Sequence, residues 1–446
     1  MQQTRQPVDL AIEARWIIPV HPSQTILEGH VVIIDQRRIV DILKEPLARE
    51  RYAPDHWIKR DQHALMPGLV NAHTHAPMSL MRGFADDLPL MEWLNSHIWP
   101  AERDHIDEAF IKAGSELAIA EMLRGGTTCF NDMYFFPEIV ARTALRFGIR
   151  AVVGMIVLEM PTVFASDSSQ YIEKGLRLHD ELRHEERITT AFAPHAPYTV
   201  EDTALMRIQT LADELDVPIH MHVHESAHEI DMSIDRFGIR PLERLARLGL
   251  TTPRLIAVHM TQLLNNEIQF AADQGISVVH CPQSNLKLAS GMCPVAALLD
   301  AGVNVAIGTD GAASNNDLDM IEETRCAALL AKGVAKSPTA MPAHRALESA
   351  TLAGARALGL ESDIGSIEIG KFADLIAINL DTPRTMPIYD AAAQIAYSAS
   401  SDQVSDVWVA GQHRLENFEL TDIDTAAVMA EACRWRDVLA SRSAGK

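Results

Sequence analysis

Short apolar runs separated by turn residues occur near both ends of the chain, a pattern typical of strands. They cover residues 16–20, 30–34 and 38–43 and, much later, 370–378 and 404–411. The two groups lie far apart in the sequence, but they have the same character. We therefore predict that residues 1–64 and 371–421 build one small composite β-sandwich domain from both chain ends.

Between these ends, short apolar strands alternate with longer amphipathic stretches, as in βα units around a parallel sheet. Eight strand candidates are present, at 64–70, 127–131, 151–158, 188–192, 217–222, 255–259, 276–280 and 303–307. Eight such strands close a (β/α)8 TIM barrel, so we predict an α/β fold with the barrel at 65–370. Helices are predicted at 107–124, 202–215 and 320–332, and an amphipathic pattern from 422 to about 439 predicts a C-terminal helix within 422–446.

The composition is that of an ordinary globular protein with a large core. The 446 residues are 47% hydrophobic and 22% charged, with a mean hydropathy of −0.01, values typical of folded soluble chains. There are 39 lysines and arginines against 60 aspartates and glutamates, which gives a formal net charge of −21. A field of that sign repels phosphate backbones and anionic lipid surfaces. We expect neither nucleic acid nor a membrane as a partner.

The cysteines and the N-terminal sequence predict a cytoplasmic protein. Five cysteines are scattered without a C-x-x-C pair, which suits a reducing compartment and argues against a thiolate metal site. The first residues contain no apolar run like that of a signal peptide, and no later stretch reaches the ~18–20 apolar residues of a membrane span. A homodimer is compatible with a barrel of this size.

Two histidines follow the first predicted barrel strand. His73 and His75 are separated by one residue, and in an extended strand that spacing turns both side chains to the same face. The carboxyl ends of the strands form the catalytic mouth of a TIM barrel. An isolated H-x-H sequence is a weak signal of a metal site, so the interpretation depends on the residues that follow.

Further metal-binding residue types recur at intervals that match the barrel repeat. A barrel of ~250 residues has about 31 residues in one βα unit. The intervals from His73 to His222, on to His259 and on to Asp310 therefore fit about four, one and two units. These residues are then expected at the ends of strands one, five, six and eight, where they converge. From spacing alone, His259 is a candidate ligand like the others.

Imidazoles and a carboxylate at the barrel mouth suit a divalent first-row ion. Nitrogen and oxygen ligands with an open position for water favour Zn2+. A two-metal barrel site of this kind uses a bridging carboxylated lysine, and predicted strands three and four contain no lysine. We therefore predict one divalent metal ion.

Glu225 is the best candidate for acid–base chemistry. It follows His222 by three residues, so the strand end can hold a ligand while the loop brings a carboxylate over the bound water. A carboxyl group in a dry pocket can accept and then donate a proton. The neighbouring His220 and His224 are expected to be a barrel-interior residue and a rim residue. Asp310 lies between a buried strand and a glycine-rich turn, where an unpaired charge is costly.

The sequence resembles the amidohydrolase superfamily and, within it, the 5-methylthioadenosine/S-adenosylhomocysteine deaminases and their chlorohydrolase-like relatives. The matching stretches are 66–78 (Met66-Pro-Gly-Leu-Val-Asn-Ala-His-Thr-His-Ala-Pro-Met), 80–94, Pro194-His-Ala-Pro-Tyr, Ser284-Asn-Leu-Lys-Leu and Gly308-Thr-Asp-Gly-Ala-Ala-Ser-Asn-Asn. The likeness extends over nearly the whole chain. The metal motifs are common to the superfamily, whereas the His-Ala-Pro-Met and Gly-Ala-Ala-Ser-Asn-Asn segments point more narrowly to the deaminases.

The resemblance implies a role for each candidate residue. By that likeness, the zinc ligands are His73, His75, His222 and Asp310. Glu225 becomes the proton shuttle, and His259 contacts the zinc-bound water or the tetrahedral intermediate instead of binding the metal. Glu102 and His195 become substrate contacts. For Glu102 this is chemically reasonable, because a carboxylate can accept hydrogen bonds from both hydroxyls of a ribose.

The resemblance further implies hydrolytic deamination at C6 of an adenine nucleoside, with 5′-methylthioadenosine as the expected substrate. Some relatives carry an arginine after strand three that holds a charged substrate tail. Residues 151–158 contain no arginine, which favours 5′-methylthioadenosine or adenosine over S-adenosylhomocysteine. Met78, Met81, Met155 and Met160 are candidates for a polarizable wall around a thioether, but we expect at least half of them to be core residues.

Two other classes of function are compatible with the same barrel. One is a different amidohydrolase reaction, such as deamination of guanine, cytosine or a pterin, or dechlorination of a triazine. Glu102 argues against a free base, which has no ribose to hold. The other is a catalytically inactive binding protein. The intact ligand set and its acid–base residue argue against that alternative.

Overall fold

The computed structural model of the protein describes residues 5–443, and its strands form two eight-stranded sheets. In chain order, the strands are β1 (Gln6–Ile17), β2 (Leu27–Asp35), β3 (Arg38–Lys44), β4 (Tyr52–Pro67), β5 (Leu69–Thr74), β6 (Thr127–Asp132), β7 (Arg150–Val157), β8 (Ile188–Pro194), β9 (Ile219–Val223), β10 (Leu255–His259), β11 (Ser277–His280), β12 (Asn304–Ile307), β13 (Leu375–Asn379), β14 (Val404–Val409), β15 (Gln412–Glu416) and β16 (Glu419–Leu420).

Helices connect the strands of the second sheet and surround it. In chain order, the helices are α1 (Glu45–Arg51), α2 (Leu90–Trp93), α3 (Trp99–His105), α4 (Glu108–Arg124), α5 (Pro137–Phe147), α6 (Ser168–Leu182), α7 (Asp202–Leu215), α8 (Ala227–Phe237), α9 (Pro241–Arg247), α10 (Asn265–Asp273), α11 (Pro282–Lys287), α12 (Val295–Asp300), α13 (Ala312–Asn315), α14 (Met320–Ala335), α15 (Ala343–Ser349), α16 (Leu352–Ala357), α17 (Ala391–Tyr397) and α18 (Thr425–Ser443). Short 3-10 segments occur at Ala76–Met81 and Ser401–Gln403, and a π-helical turn at Leu94–Ile98.

Strands β5 to β12 form the predicted barrel. Each strand pairs in parallel with the next one in the chain, and helices lie between them. The (β/α)8 fold is therefore confirmed. The helices predicted at 107–124, 202–215 and 320–332 correspond to α4, α7 and α14. The C-terminal helix is also present as α18, whereas residues 444–446 of the predicted segment lie outside the described residues.

The first barrel strand differs from the prediction. Residues 64–67 belong to β4 and not to the barrel, because Ala64, Leu65, Met66 and Pro67 pair with β13 in the other sheet. Gly68 then separates the two sheets. A Cβ atom at this position would lie 2.0 Å from Thr128 Oγ1, so only glycine allows the chain to pass from β4 into β5 against β6. The division of the chain into separate domains stays a prediction.

Both chain ends build the other sheet, as expected, in the order β16-β15-β14-β13-β4-β1-β2-β3. The sheet folds back on itself. Ile39 of the edge strand β3 donates to the Lys371 carbonyl oxygen at 2.9 Å, and Gly370 donates to the Ile39 carbonyl oxygen at 2.8 Å. Apolar residues of β1, β2, β4, β13 and β14 meet inside this curl. One curled sheet therefore supplies the two layers expected of a sandwich.

Side chains close the barrel between its last and first strands. The Asn71 amide nitrogen donates to Thr309 Oγ1 at 2.7 Å, and the Thr309 backbone nitrogen donates to Asn71 Oδ1 at 3.0 Å. Next to them, the Asp310 backbone nitrogen donates to the His73 carbonyl oxygen at 3.0 Å. A Cβ atom at Gly308 would lie 2.7 Å from the His73 backbone nitrogen. Glycine there lets the end of β12 approach β5, which carries His73.

A buried ion pair joins the barrel to the curled sheet. The side chains of Arg150, at the start of β7, and Asp374, just before β13, are 3% and 1% exposed. Arg150 Nε donates to Asp374 Oδ2 at 3.0 Å, and Arg150 Nη1 donates to the Glu186 carbonyl oxygen at 2.9 Å. Asp374 Oδ1 also accepts the Ala410 backbone N–H at 2.7 Å. Both charges are thus satisfied by partners from two different parts of the fold.

Within residues 5–443, no helix is both long enough and apolar enough to cross a bilayer.

Replacing Arg150 by methionine should lower the free energy of unfolding by about 3–5 kcal/mol, because Asp374 is left as a buried charge without its partner. Thermal and urea denaturation of the two proteins measure this loss. Arg247→Met is the matched control, since the Arg247–Glu243 pair is 64% and 53% exposed and such pairs contribute about 0–1 kcal/mol. Adding Asp374→Asn to Arg150→Met should recover part of the loss. Equal effects of the two arginine variants would contradict this account.

Candidate functional site

A cavity of about 670 Å3 opens at the carboxyl ends of the barrel strands. Its polar part is lined by His75, His222, Asp310, Glu225, His259, His195, Glu102 and Tyr134, and its apolar part by Leu90, Trp93, Leu94, Ile98, Trp99, Ile106, Phe135, Ile156, Leu158, Met160 and Val163. The walls come mainly from the segments that follow the first four barrel strands. A mostly apolar cavity with a few converging polar groups is the usual form of a small-molecule site.

The structure brings the four predicted metal ligands together. One ligand atom each from His73, His75, His222 and Asp310 lies within 4.8 Å of all the others. His73 and His75 extend from the end of β5, His222 from β9, and Asp310 follows β12. The spacing argument therefore placed these residues correctly. His259 lies beside the group, with its ring stacked on that of His222 at 5.3 Å between centroids.

Hydrogen bonds on the outer side of each imidazole decide which nitrogen faces the centre. His75 Nδ1 lies 2.5 Å from the Met133 carbonyl oxygen, and His222 Nδ1 lies 2.7 Å from the His195 carbonyl oxygen. Because a carbonyl oxygen only accepts, each Nδ1 carries the proton and each Nε2 presents a lone pair to the centre. His73 Nδ1 contacts His220 Nε2 at 2.8 Å, and by donating there His73 also turns its Nε2 lone pair inward.

The Asp310 carboxylate is held by both of its oxygens. Oδ2 accepts the hydroxyls of Ser284 at 2.6 Å and Ser314 at 2.9 Å, and Oδ1 accepts the Gly311 backbone N–H at 2.8 Å. Asp310 itself has a φ of +62°, a left-handed conformation that is uncommon for a non-glycine residue. The turn and its hydroxyl donors thus aim Oδ1 at the imidazoles. The side chain is almost completely buried at 7% exposure.

The donor set fits one divalent ion. Asp310 Oδ1 lies 3.2 Å from Nε2 of both His73 and His75, and the Nε2 atoms of His73 and His222 are also 3.2 Å apart. Ligands bound at ~2.1 Å to one ion are separated by about 3.0–3.4 Å. Lone pairs that face each other at this distance repel unless a proton or a metal cation lies between them. These residues form a site for a divalent metal.

The pKa of His75 shows the same attraction for positive charge. Burial disfavours the charged imidazolium, but the hydrogen bond and the charge of Asp310 outweigh it and raise the pKa to about 9. A bound divalent ion would take the place of this proton, because metal ligation requires the neutral imidazole.

Glu225 lies in the loop after β9 and lines the cavity. Ser290 Oγ is 3.5 Å from its Oε1 atom and donates to it. Burial, together with the negative charge of Asp310, raises the pKa of the Glu225 carboxyl to about 8. At neutral pH the group therefore carries a proton that it can donate into the cavity.

His259 ends β10 and is held by Asn285. The Asn285 amide nitrogen lies 3.0 Å from His259 Nδ1, and since an amide nitrogen only donates, Nδ1 accepts. Burial lowers the His259 pKa to about 4, so the ring is neutral and its one proton lies on Nε2. The neutral ring is therefore able to donate a hydrogen bond.

Glu102, in α3, is less exposed than its sequence context indicates. It lines the cavity and accepts the Tyr134 hydroxyl at 2.6 Å through Oε1. Burial raises its pKa to about 7, although the Tyr134 hydrogen bond and the charge on His75 act in the opposite direction. A side chain that the sequence alone would assign to the solvated surface is thus a cavity group whose charge changes near neutral pH.

His195 follows β8 and lines the same cavity. Its Nδ1 lies 3.1 Å from Thr199 Oγ1, which leaves Nε2 available to another partner. Burial, with the nearby charge on His75, lowers its pKa to about 3. The ring is therefore neutral, and all eight predicted site residues lie at one end of the barrel.

His224 is not the rim residue that we expected. It is fully buried, and its Nε2 accepts the Leu242 backbone N–H at 3.1 Å. The chain turns inward here because His224 has a φ of +54°. His220 is a barrel-interior residue, as predicted. Met81 and Met155 are core residues, whereas Met78 and Met160 line the cavity, so half of the four methionines belong to the core.

The sequence reasoning missed several residues that support the site. They are Tyr134, which holds Glu102; Ser284 and Ser314, which hold Asp310; Asn285, which holds His259; and Glu229, which accepts the Glu225 backbone N–H. Glu229 carried a signal, since Ser226 and Glu229 form the S-x-x-E pattern of a helix start. Ser284 and Ser314 lie in two of the stretches that resemble the deaminases, but no pattern around them indicates that their hydroxyls hold Asp310.

Comparisons with known proteins agree with this site. The Amidohydrolase family model matches residues 64–413. A 5-methylthioadenosine/S-adenosylhomocysteine deaminase of Saccharophagus degradans is 46% identical over 443 residues, 99% of each chain. The Teredinibacter turnerae protein of the same name is 46% identical over 435 residues, 98% of each chain.

Solved structures share the fold. A zinc-bound adenosine deaminase from Xanthomonas campestris superimposes with a TM-score of 0.97 at 53% identity, over 98% of this chain and 100% of that chain. An atrazine chlorohydrolase from Arthrobacter aurescens, 23% identical, has a TM-score of 0.89 over 96% of this chain and 100% of its own and shows a common architecture. The chain belongs to the amidohydrolase family and, within it, to the group of 5-methylthioadenosine/S-adenosylhomocysteine deaminases.

Proposed function

We propose that the protein is a metal-dependent hydrolase that deaminates the adenine ring of 5′-methylthioadenosine at C6, giving the inosine analogue and ammonia. Adenosine and S-adenosylhomocysteine are further candidate substrates. The observation that carries the proposal is one cavity lined by a divalent-metal site, a protonated carboxyl group in Glu225 and a second, partly buried carboxyl group in Glu102. The names of the relatives that are 46% identical over the whole chain support the same reaction.

Zn2+ is the metal that we assign to the site. Three imidazole nitrogens and one carboxylate oxygen are ligands that zinc prefers, and the Xanthomonas relative contains zinc. When bound, such an ion supplies Lewis-acid activation of a water molecule, with the pKa of that water lowered toward ~7. The four ligands together bind one ion per chain.

The protein side chains move the protons. Asp310 accepts one proton from the attacking water, while Glu225 donates its proton to N1 of the purine as the oxygen bonds to C6. His259 donates a hydrogen bond from Nε2 to that oxygen as negative charge grows on it. Asp310 then passes its proton to the amino group, the C6–N bond breaks and ammonia leaves. The second proton of the water returns to Glu225, which restores the starting state.

The remaining cavity groups support a nucleoside with a small apolar 5′ group. Glu102 can accept both ribose hydroxyls, and His195 can bind the purine or the sugar. Met78 and Met160 offer polarizable contacts to a thioether. Arg103 also lines the cavity, with its Nε donating to Asp104 Oδ1 at 3.0 Å. The apolar wall, which includes Leu158 and Met160, supports 5′-methylthioadenosine over the charged tail of S-adenosylhomocysteine.

The direct test is ammonia release by the zinc-loaded protein, with kcat/KM compared for 5′-methylthioadenosine, adenosine, S-adenosylhomocysteine, adenine, guanine and cytosine. We expect the nucleosides to exceed the free bases and 5′-methylthioadenosine to have the highest value. Turnover of free bases alone would reject the substrate assignment. Zinc bound at one ion per chain without any turnover would support the binding-protein alternative.

Glu225→Gln should lower kcat by ~10²–10⁴-fold, because the proton donor is lost, with zinc content unchanged. Since the pKa is raised to about 8, the acid form is present below that pH, and wild-type kcat should fall as the pH rises through 8. The glutamine variant should lack this fall. Glu243→Gln, the same change at a side chain that is 53% exposed, is the control. A Glu225→Gln variant with near wild-type kcat would remove the assigned role.

Glu102→Gln should raise KM for nucleosides by ~10–100-fold, because hydrogen bonds to a charged group are lost. The pKa is raised to about 7, so the carboxylate form increases with pH, and wild-type KM should fall from pH 6 to pH 8. A 2′,3′-dideoxy analogue of the substrate should show a raised KM with the wild type and little further change with Glu102→Gln. If the two losses multiply instead, Glu102 does not contact the ribose hydroxyls.

A further inference from the structure

We infer that Glu229 is a positioning residue that holds the proton donor Glu225 in place through the backbone; this inference rests on the proposed function. Glu229 lies in the first turn of α8 and is 3% exposed. It lies behind Glu225, outside the lining of the cavity. Its role therefore depends on the groups that its carboxylate binds.

Both carboxylate oxygens of Glu229 bind the loop that carries Glu225. Oε1 accepts the His224 backbone N–H at 2.9 Å, and Oε2 accepts the Glu225 backbone N–H at 2.7 Å. The left-handed conformation of His224, with a φ of +54°, precedes Glu225 in the loop, and both N–H groups point to the same side. Consecutive N–H groups of this kind form a concave site for an anion. Here the anion is a side chain of the same protein.

The anchor of Glu229 is the start of α8. Ser226 is the N-cap residue, and its hydroxyl accepts the Glu229 backbone N–H at 3.3 Å. The ordinary capping box would direct the N3 carboxylate to the N-cap backbone N–H. Glu229 instead reaches one and two residues further back. The first turn of α8 thus positions the Glu229 carboxylate to bind the loop that precedes the helix.

Residues that follow the next barrel strand, β10, hold the other side of the same loop. Thr261 Oγ1 donates to the Glu225 carbonyl oxygen at 2.7 Å. The His224 carbonyl oxygen accepts the backbone N–H groups of Thr261 at 3.0 Å and Gln262 at 3.2 Å. The backbone of Glu225 is therefore fixed at both its N–H and its carbonyl group. Only the side-chain torsions of Glu225 remain to move its carboxyl between acceptor and donor positions.

Glu229→Gln removes one of the two acceptors with almost no change in shape, because an amide NH2 group then faces a backbone N–H. We expect kcat for 5′-methylthioadenosine to fall by about 10–100-fold while KM changes by less than about threefold and zinc content stays at the wild-type level. Glu229→Asp should be no better, since a shorter side chain cannot reach both N–H groups. A kcat within twofold of the wild type for both variants overturns the inference.

A double-mutant cycle with Glu225→Gln separates positioning from simple stabilisation of the fold. If Glu229 acts through Glu225, adding Glu229→Gln to the Glu225→Gln enzyme leaves its residual kcat unchanged. If the two losses multiply, Glu229 supports the site in general and the inference is wrong. Asp390→Ala is the matched control, because Asp390 caps α17 by accepting the Ala393 backbone N–H at 3.1 Å. This variant should lower Tm without changing kcat.

The same set of variants distinguishes failure of the inference from failure of the proposed function. Without deamination by the wild type, the proposed function itself fails. With full activity in Glu225→Gln, deamination stands, but the proton-donor role of Glu225 fails and the positioning role of Glu229 fails with it. With an inactive Glu225→Gln and a fully active Glu229→Gln, only the positioning role fails.

Discussion

The arrangement of the site depends on one buried carboxylate. Asp310 is ionic at the bottom of a cavity, where an isolated charge would be costly. Its stabilisation requires two hydroxyl donors, one backbone donor and positive charge at the centre of three imidazoles. Each of these requirements constrains a different element. Strand β12 has to end against β5, the turns that start α11 and α13 have to supply serines, and β9 has to bring His222 into the same plane of the barrel.

Where the last barrel strand, β12, meets the first, β5, backbone geometry helps to place Asp310 as much as side chains do. Gly308 permits the close approach, and the Asn71–Thr309 pair replaces part of the strand ladder with side-chain hydrogen bonds. The first and last strands thereby bring His73 and Asp310 next to each other, although the chain between them forms nearly the whole barrel. The same contacts that close the barrel therefore also bring metal ligands of its first and last strands together.

Sequence reasoning recovered what depends on periodicity. Eight apolar strands at barrel spacing and ligand types at strand ends were sufficient for the fold and for the positions of His73, His222 and Asp310. It could not recover what depends on three-dimensional environment. Glu102 is partly buried because the segment after β5 lines the cavity, and no local pattern around Pro100-Ala-Glu-Arg indicates this. The first barrel strand was predicted to start too early because residues 64–70 form one continuous apolar run. Its first part pairs in the curled sheet and its last part pairs in the barrel.

The composite sheet has a consequence for synthesis. Strand β4 lies between β1 and β13 in the finished sheet, and some 300 residues of barrel are translated between them. Until the ribosome has released β13, β4 presents an open edge of unpaired N–H and carbonyl groups, which is a template for pairing with another chain. The open edge of β4 therefore has no partner from this sheet while the barrel residues are synthesised. We expect the nascent chain to be most prone to aggregation between the synthesis of β4 and that of β13.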